Sequence, residues 1–163
     1  MNATIHSIVC NTPTDEIYKI IANSAVWADI YEPCRNVELL KKSNNREVIR
    51  ITADVNGVEM HWESKRTFLE DIYGIDFEIV TPFPPLKSMG GHWRIVPLEP
   101  NKSLLFLEHH FQVEEDVSDL IEGVNTPEEA IDFTMQGIDR NSHKELNSIK
   151  TLAEQNCYQK TEL

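Results

Sequence analysis

From Arg35 to Val113 apolar and polar residues alternate in short runs, each closed by a turn signal, and this period of two predicts an antiparallel meander. The runs are Asn36 to Lys41, Glu47 to Val55, Val58 to Leu69, Ile75 to Thr81, Met89 to Val96 and Ser103 to Val113. Between them stand Ser43-Asn44-Asn45, Asn56-Gly57, Asp71 to Gly74, Pro82 to Lys87 and Pro97 to Lys102, with Asn-Gly the strongest hairpin signal. An earlier strand, Ala3 to Cys10, alternates around Ile5, Ser7 and Val9 and ends at Asn11.

Two helical segments separate that strand from the meander. Thr12 is placed to cap the first, Pro13 suits its first position, Asp15 and Glu16 suit its positive end, and Ile17, Ile20 and Ile21 form its buried face. A short turn then carries Trp27, Ile30 and Tyr31 and stops at Pro33. After the meander, Thr126 and Pro127 with Glu128 and Glu129 open a long helix reaching about Cys157. Ile131, Met135 and Ile138, then Leu146, Ile149, Leu152 and Ala153, keep helical spacing, but Asp139 to Glu145 is polar throughout. Two readings fit this gap: the middle of the helix faces a cavity with polar contents through Asn141 or Ser142, below Ile138, or it is simply more exposed.

A length of 163 residues suits one domain spanning 1–163, large enough to bury a core without disulfide or metal staples. Cys10, Cys34 and Cys157 are odd in number and lack metal-ligand spacing, which fits free thiols in a reducing compartment. No basic segment followed by an apolar run opens the chain, so a cytoplasmic location is expected. The net charge of −12 repels phosphate backbones and anionic lipid, which disfavours nucleic acid and membrane as partners. Much of that charge lies in Glu114, Glu115, Asp116, Asp119 and Glu122, read as a solvated loop.

Candidate chemistry concentrates on strand faces. In Met60 to Phe68 one face carries Met60, Trp62, Ser64, Arg66 and Phe68, the other His61, Glu63, Lys65 and Thr67. An inward arginine among apolar groups needs an acceptor or a wet cavity. Pairing with an inward carboxylate is one outcome. With Ile49, Ile51, Ala53, Val55, Ile75, Phe77 and Ile79 on the neighbouring inward faces no acidic partner is evident, which favours recognition of ligand oxygens by Arg66. On the last strand His109 points inward and His110 outward. His109 is either a proton shuttle or a hydrogen-bonded core histidine, and adjacent strand residues do not chelate one metal. Trp27, Trp62 and Trp93 with Tyr31 and Phe83 line a flat apolar pocket or form ordinary core.

Ser7 to Pro13, Trp27, the strand Trp62-Glu63-Ser64-Lys65-Arg66, Met89-Gly90-Gly91-His92-Trp93 and Glu108-His109-His110-Phe111 together resemble the polyketide aromatase/cyclases of the helix-grip, START-like superfamily. The resemblance implies an α+β fold: a seven-stranded curved antiparallel sheet around a long C-terminal helix, with two short helices after the first strand. It implies a pocket that receives a poly-β-ketone from an acyl carrier protein of a polyketide synthase and closes a ring by intramolecular aldol condensation and dehydration. In that picture Arg66 stabilises enolate charge, Ser64 orients substrate or water, and His109 is a weak base. Trp27, Trp62, Met89 and Trp93 would shape the cavity, and Cys34 and Met60 stand where some relatives carry tyrosine and tryptophan. Neither metal nor organic cofactor is required. Lys41, Lys42, Arg46 and Lys87 are candidates for docking the acidic carrier. A non-catalytic carrier of a lipid, quinone or polyphenol shares the fold and is the alternative.

Overall fold

A computed structural model describes residues 1–55 and 57–161, with the side chains of residues 160 and 161 left aside. Strand β1 (Asn2–Cys10) leads to helix α1 (Thr14–Ala22), a 3-10 turn (Ser24–Val26) and the short helix α2 (Trp27–Ile30). The meander follows as β2 (Cys34–Ser43), β3 (Arg46–Val55), β4 (Val58–Leu69), β5 (Gly74–Ile79), β6 (Leu86–Glu99) and β7 (Lys102–Val113), and α3 (Pro127–Thr161) closes the chain. The strands form one antiparallel sheet in the order β1-β7-β6-β5-β4-β3-β2, the expected helix-grip arrangement of a seven-stranded sheet around a long C-terminal helix.

Physical details depart from the sequence reading at several ends. Helix α1 begins at Thr14 with Pro13 at the capping position, and Thr12 makes no side-chain cap. Thr12 is instead fully buried, its carbonyl accepting a 2.8 Å hydrogen bond from Ser103 Oγ, which ties the helix entry to β7. Strand β6 begins before Met89 and runs through Pro97, because a register irregularity between Pro97 and Glu99 accommodates the missing donor. The β3–β4 turn holds Gly57 at φ 82°, with its amide on Asp54 Oδ1 at 2.7 Å; Asn56 lies outside the described residues.

Helix α3 starts with a box of reciprocal bonds. Thr126 Oγ1 accepts from the Glu129 amide at 3.2 Å, and Glu129 Oε2 accepts from the Asn125 amide at 2.7 Å. The helix packs against β1, β7 and α1. On β1 it meets Thr4, His6, Ile8 and Cys10, so Ile5 and Val9 point outward. The tightest core lies at the α1 end, where Ile17, Ile21, Ile75, Trp93, Ile95, Leu105, Leu107, Leu146 and Ile149 are buried together. A second cluster, Leu86, Phe111 and Ile138, lies towards the other end of the helix, with Phe83, Met89 and Met135 against it. Between sheet and helix the packing is incomplete, and that gap is the cavity.

Candidate active site

A cavity of about 700 Å³ lies between the inner face of the sheet and α3. Met60 and Trp62 from β4, Met89 from β6 and His109 from β7 reach it from the sheet, as strand alternation requires. Trp27, Tyr31 and Cys34 join the wall from α2, its C-terminal end and the start of β2. Val58, Phe83, Leu120 and Glu122 also border it, and Val58 and Leu120 are 61% and 39% exposed, so the cavity opens between the β3–β4 hairpin, the proline loop and the acidic loop before α3. The acidic run therefore also supplies part of the rim.

From α3 the wall is made by Ile138, Asn141, Ser142 and Glu145. These positions follow the i, i+3, i+4, i+7 spacing of a single helix face. Asp139, Arg140, His143 and Lys144 of the same polar run are exposed on the opposite side. Of the two readings of the polar gap, the structure therefore supports the cavity-facing one, and it adds Glu145, which sequence reasoning missed. The spacing from Ile138 through Asn141 and Ser142 carried the signal.

Glu145 is the electrostatic centre of the cavity. Removal from bulk water raises its carboxyl to about 7, and the Arg66 charge offsets only part of that penalty. His109 shifts the other way: burial first, then His6 and His110, lower it to about 4, so its imidazole is neutral at pH 7. Its Nδ1 has no hydrogen-bond partner within the protein, and neither does Ser142 Oγ, which is 1% exposed. Two unpartnered polar atoms in an apolar cavity suit a ligand bearing oxygen functions. Burial raises the Cys34 thiol to about 11, so at neutral pH it is a neutral wall group rather than a nucleophile. The Tyr31 hydroxyl is likewise pushed up by burial, and it donates to the Asn141 carbonyl at 3.4 Å.

Arg66 has the acidic partner that sequence reasoning did not find. Its Nη1 lies 2.8 Å from Glu47 Oε1, the two side chains being 2% and 7% exposed, and its Nη2 donates to the Ile21 carbonyl. Glu47, the second residue of β3, stands directly opposite Arg66 and shares the inward parity of Ile49 and Ile51. The guanidinium also lies over Trp27 at 4.8 Å and Phe68 at 5.2 Å, within cation–π range. Burial lowers the Arg66 pKa to about 10, with Glu47 opposing the shift, so the cation persists at neutral pH.

Of the expected site residues, Trp27, Tyr31, Cys34, Met60, Trp62, Phe83, Met89, His109, Ile138, Asn141 and Ser142 meet on the cavity wall, and the Trp62 and Phe83 rings stand 5.5 Å apart. Arg66, Ser64 and Trp93 are absent from that wall. Ser64 is 4% exposed, and Trp93, equally buried, belongs to the core against α1. The cations considered for docking are not grouped at the opening either. Lys41 and Arg46 lie at the far end of β2–β3 from Val55 and Val58, and Lys87 faces Glu115 at 3.8 Å.

The two shifted groups make opposite demands on stability. Between about pH 4.5 and 7 the native state holds a proton on Glu145 that the unfolded chain releases, so this group makes stability fall as pH rises. Between about pH 6.5 and 4 the unfolded chain protonates His109 while the native state resists, so this group makes stability fall as pH falls. In the wild type the two slopes largely cancel. Relative to wild type, Glu145→Gln is expected to gain stability as pH rises from 4.5 to 7, and His109→Gln as pH falls from 6.5 to 4. Each gain approaches about 1.4 kcal/mol per pH unit at the centre of its window. Urea denaturation series at several pH values measure both, and parallel curves for variants and wild type would remove the basis for these assignments.

A helix-grip fold enclosing an apolar cavity with a few convergent polar groups defines a small-molecule site of the cyclase and lipid-carrier class. Residues 10–130 match the family described as polyketide cyclase / dehydrase and lipid transport, and the chain belongs to that family. It is 30% identical over 149 residues to the granaticin polyketide synthase bifunctional cyclase/dehydratase of Streptomyces violaceoruber, covering 91% of this chain and 43% of that protein. The actinorhodin counterpart of Streptomyces coelicolor is 28% identical over 150 residues, with 92% and 43% covered. The chain thus spans less than half the length of these curated relatives. Among solved structures, the Zhui aromatase/cyclase of Streptomyces sp. R1128 superimposes with a TM-score of 0.89 at 28% identity, covering 96% of this chain and 95% of that one.

Proposed function

We propose that the protein is a polyketide aromatase/cyclase: it folds a poly-β-ketone inside the cavity and closes one ring by intramolecular aldol condensation and dehydration. The observation that carries this reading is an otherwise apolar enclosure whose wall carries both a carboxyl raised to about 7, Glu145, and a histidine held neutral by burial, His109. A carrier of hydrophobic ligands has no need of a half-ionised carboxyl on the cavity wall, whereas proton transfer at neutral pH is best served by one.

In the proposed reaction the Glu145 carboxylate removes a proton from a methylene flanked by two carbonyls, leaving an enolate. The enolate carbon attacks a carbonyl further along the folded chain, one carbon–carbon bond forms, and the Glu145 carboxylic acid returns its proton to the new alkoxide. A second proton is then taken from the α-carbon, the β-hydroxyl departs, and Glu145 delivers that proton to complete a water molecule. The balance is one new carbon–carbon bond and one water lost, with no change of oxidation state overall. His109 and Ser142 orient and stabilise the carbonyl oxygens, while Trp27, Met60, Trp62, Phe83 and Met89 hold the chain in one register. Fixing that register supplies much of the acceleration, because a flexible chain otherwise loses many rotors on closure.

Arg66 and Ser64 enter as positioning residues. Arg66 braces Trp27 from behind, and its charge favours ionisation of Glu145. Delivery by an acyl carrier protein would rest on the apolar rim of Val58 and Leu120, while Asp54 and Glu122 on the same lining oppose an acidic partner. The direct test adds the protein to a minimal polyketide synthase with its carrier protein and resolves the products by mass spectrometry and NMR. The expected result is convergence of the spontaneous shunt products on one aromatic product. An unchanged product spectrum across chain lengths would replace this reading with ligand carriage.

A further inference from the structure

The outer face of the sheet holds a second cluster, distinct from the cavity and unused by the proposed reaction. His92 of β6 stands directly opposite Glu108 of β7, and His110, two residues on, shares the outward face of β7 with Glu108. The His92 and His110 rings are 5.6 Å apart, and the candidate ligand atoms of His92, Glu108 and His110 all lie within 4.8 Å of one another. Residues i and i+2 of one strand with the cross-strand partner of the first form a three-pronged set whose spacing is fixed by the sheet itself.

Two features prepare this cluster for a cation. His92 Nδ1 is engaged by Asp76 Oδ1 at 2.9 Å, and the same oxygen is held by Arg94 at 2.8 Å. That carboxylate fixes the ring and leaves Nε2 free to point at a metal, the outer support commonly found behind metal-binding histidines. Gly90 allows the close approach: a Cβ there would sit 2.8 Å from the Phe77 carbonyl oxygen and 2.9 Å from His110 Nε2, so the imidazole lies over a position with no side chain. A concavity of about 810 Å³ on this face, bordered by Gly90, Gly91, His92 and His110, leaves room for water or an exogenous ligand in a remaining coordination position.

We infer that His92, Glu108 and His110 form a surface site for a divalent transition metal, with Asp76 as the positioning carboxylate. Two imidazoles and one carboxylate suit zinc and its late first-row neighbours rather than calcium or magnesium, which prefer all-oxygen sets. The other histidine–aspartate group, His6, Asp139 and His143, is less suited. There one oxygen of Asp139 already lies 2.8 Å from His6 Nε2 and 3.3 Å from His143 Nε2, so a metal would have to displace both contacts.

The test titrates the chelator-treated full chain with Zn²⁺ by calorimetry and with Co²⁺ by visible absorption. One equivalent of Zn²⁺ is expected, with Co²⁺ giving the ligand-field bands of a low-coordinate nitrogen/oxygen site. His92→Ala or His110→Ala is expected to weaken Zn²⁺ binding at least about 100-fold and Asp76→Asn about 10- to 100-fold, while His143→Ala leaves it unchanged. Melting curves of the metal-free variants establish that each is folded; a variant that fails is replaced by Glu108→Gln. Absence of Zn²⁺ binding at roughly 10⁻⁴ M metal, affinity unchanged in the His92 and His110 variants, or loss of binding in His143→Ala would each overturn the inference.

Discussion

Glu145→Gln is expected to slow ring closure by about 10²- to 10⁴-fold while the protein still binds its substrate, because the amide keeps the shape of the carboxyl but cannot transfer the proton. The size of the effect follows from the environment. Burial places the carboxyl near 7, where both ionised and protonated forms are abundant at neutral pH, so one group can accept a proton and return it within a turnover. Glutamine should also relieve the cost of a partly desolvated carboxylate at pH 8. The variant is therefore predicted to be more stable there than wild type and yet nearly inactive, a combination that misfolding does not produce. Rapid-quench product analysis with a carrier-bound substrate, alongside a thermal melt, reads both. A rate within about threefold of wild type would remove Glu145 from the chemistry, since a lost general acid–base group costs far more than that.

Arg66→Ala should give the largest loss of stability of any single change considered, about 3–5 kcal/mol. The guanidinium is 2% exposed and neutralises Glu47, itself 7% exposed, and deleting it strands a buried carboxylate. Trp27 would lose the cation behind its ring, and the Ile21 carbonyl would lose its donor. The paired change Arg66→Met with Glu47→Gln should recover part of the loss, because it removes both charges together and retains most of the volume. If the double variant folds, its Glu145 loses a nearby positive charge, so the midpoint of its pH–rate curve should move upward. Urea denaturation of the three proteins measures the energetics. A loss below about 1 kcal/mol for Arg66→Ala would mean that the buried pair contributes little, as for an exposed one.

Much of the fold was legible because its determinants are local. Period-two alternation and turn residues defined the seven strands, and Trp62, Ser64 and Arg66 fell on the inward face as β4 parity required. The inner surface of the cavity followed from the same rule for Met60, Met89 and His109. What escaped depends on register or on depth. Glu47 shares the parity of Ile49, but as the second residue of β3 it was passed over, and only the pairing of β3 with β4 sets it opposite Arg66. Trp93 faces inward like its cavity-lining neighbours yet lies further along the sheet, where α1 fills the space. Glu145 was hidden in a polar run that reads as exposed until Asn141 and Ser142 are assigned a face. The meeting of His92 with His110 is likewise a property of β6–β7 register, invisible to the alternation of either strand alone.

The most direct test of the central claim is the pH dependence of single-turnover ring closure by wild type and Glu145→Gln on the same carrier-bound poly-β-ketone. In the wild type the rate should rise with pH through a midpoint near 7 and level off as Glu145 ionises; in the glutamine variant it should be low and lack that inflection. An inflection near 7 that persists unchanged in Glu145→Gln would contradict the account and assign the proton transfer to another group.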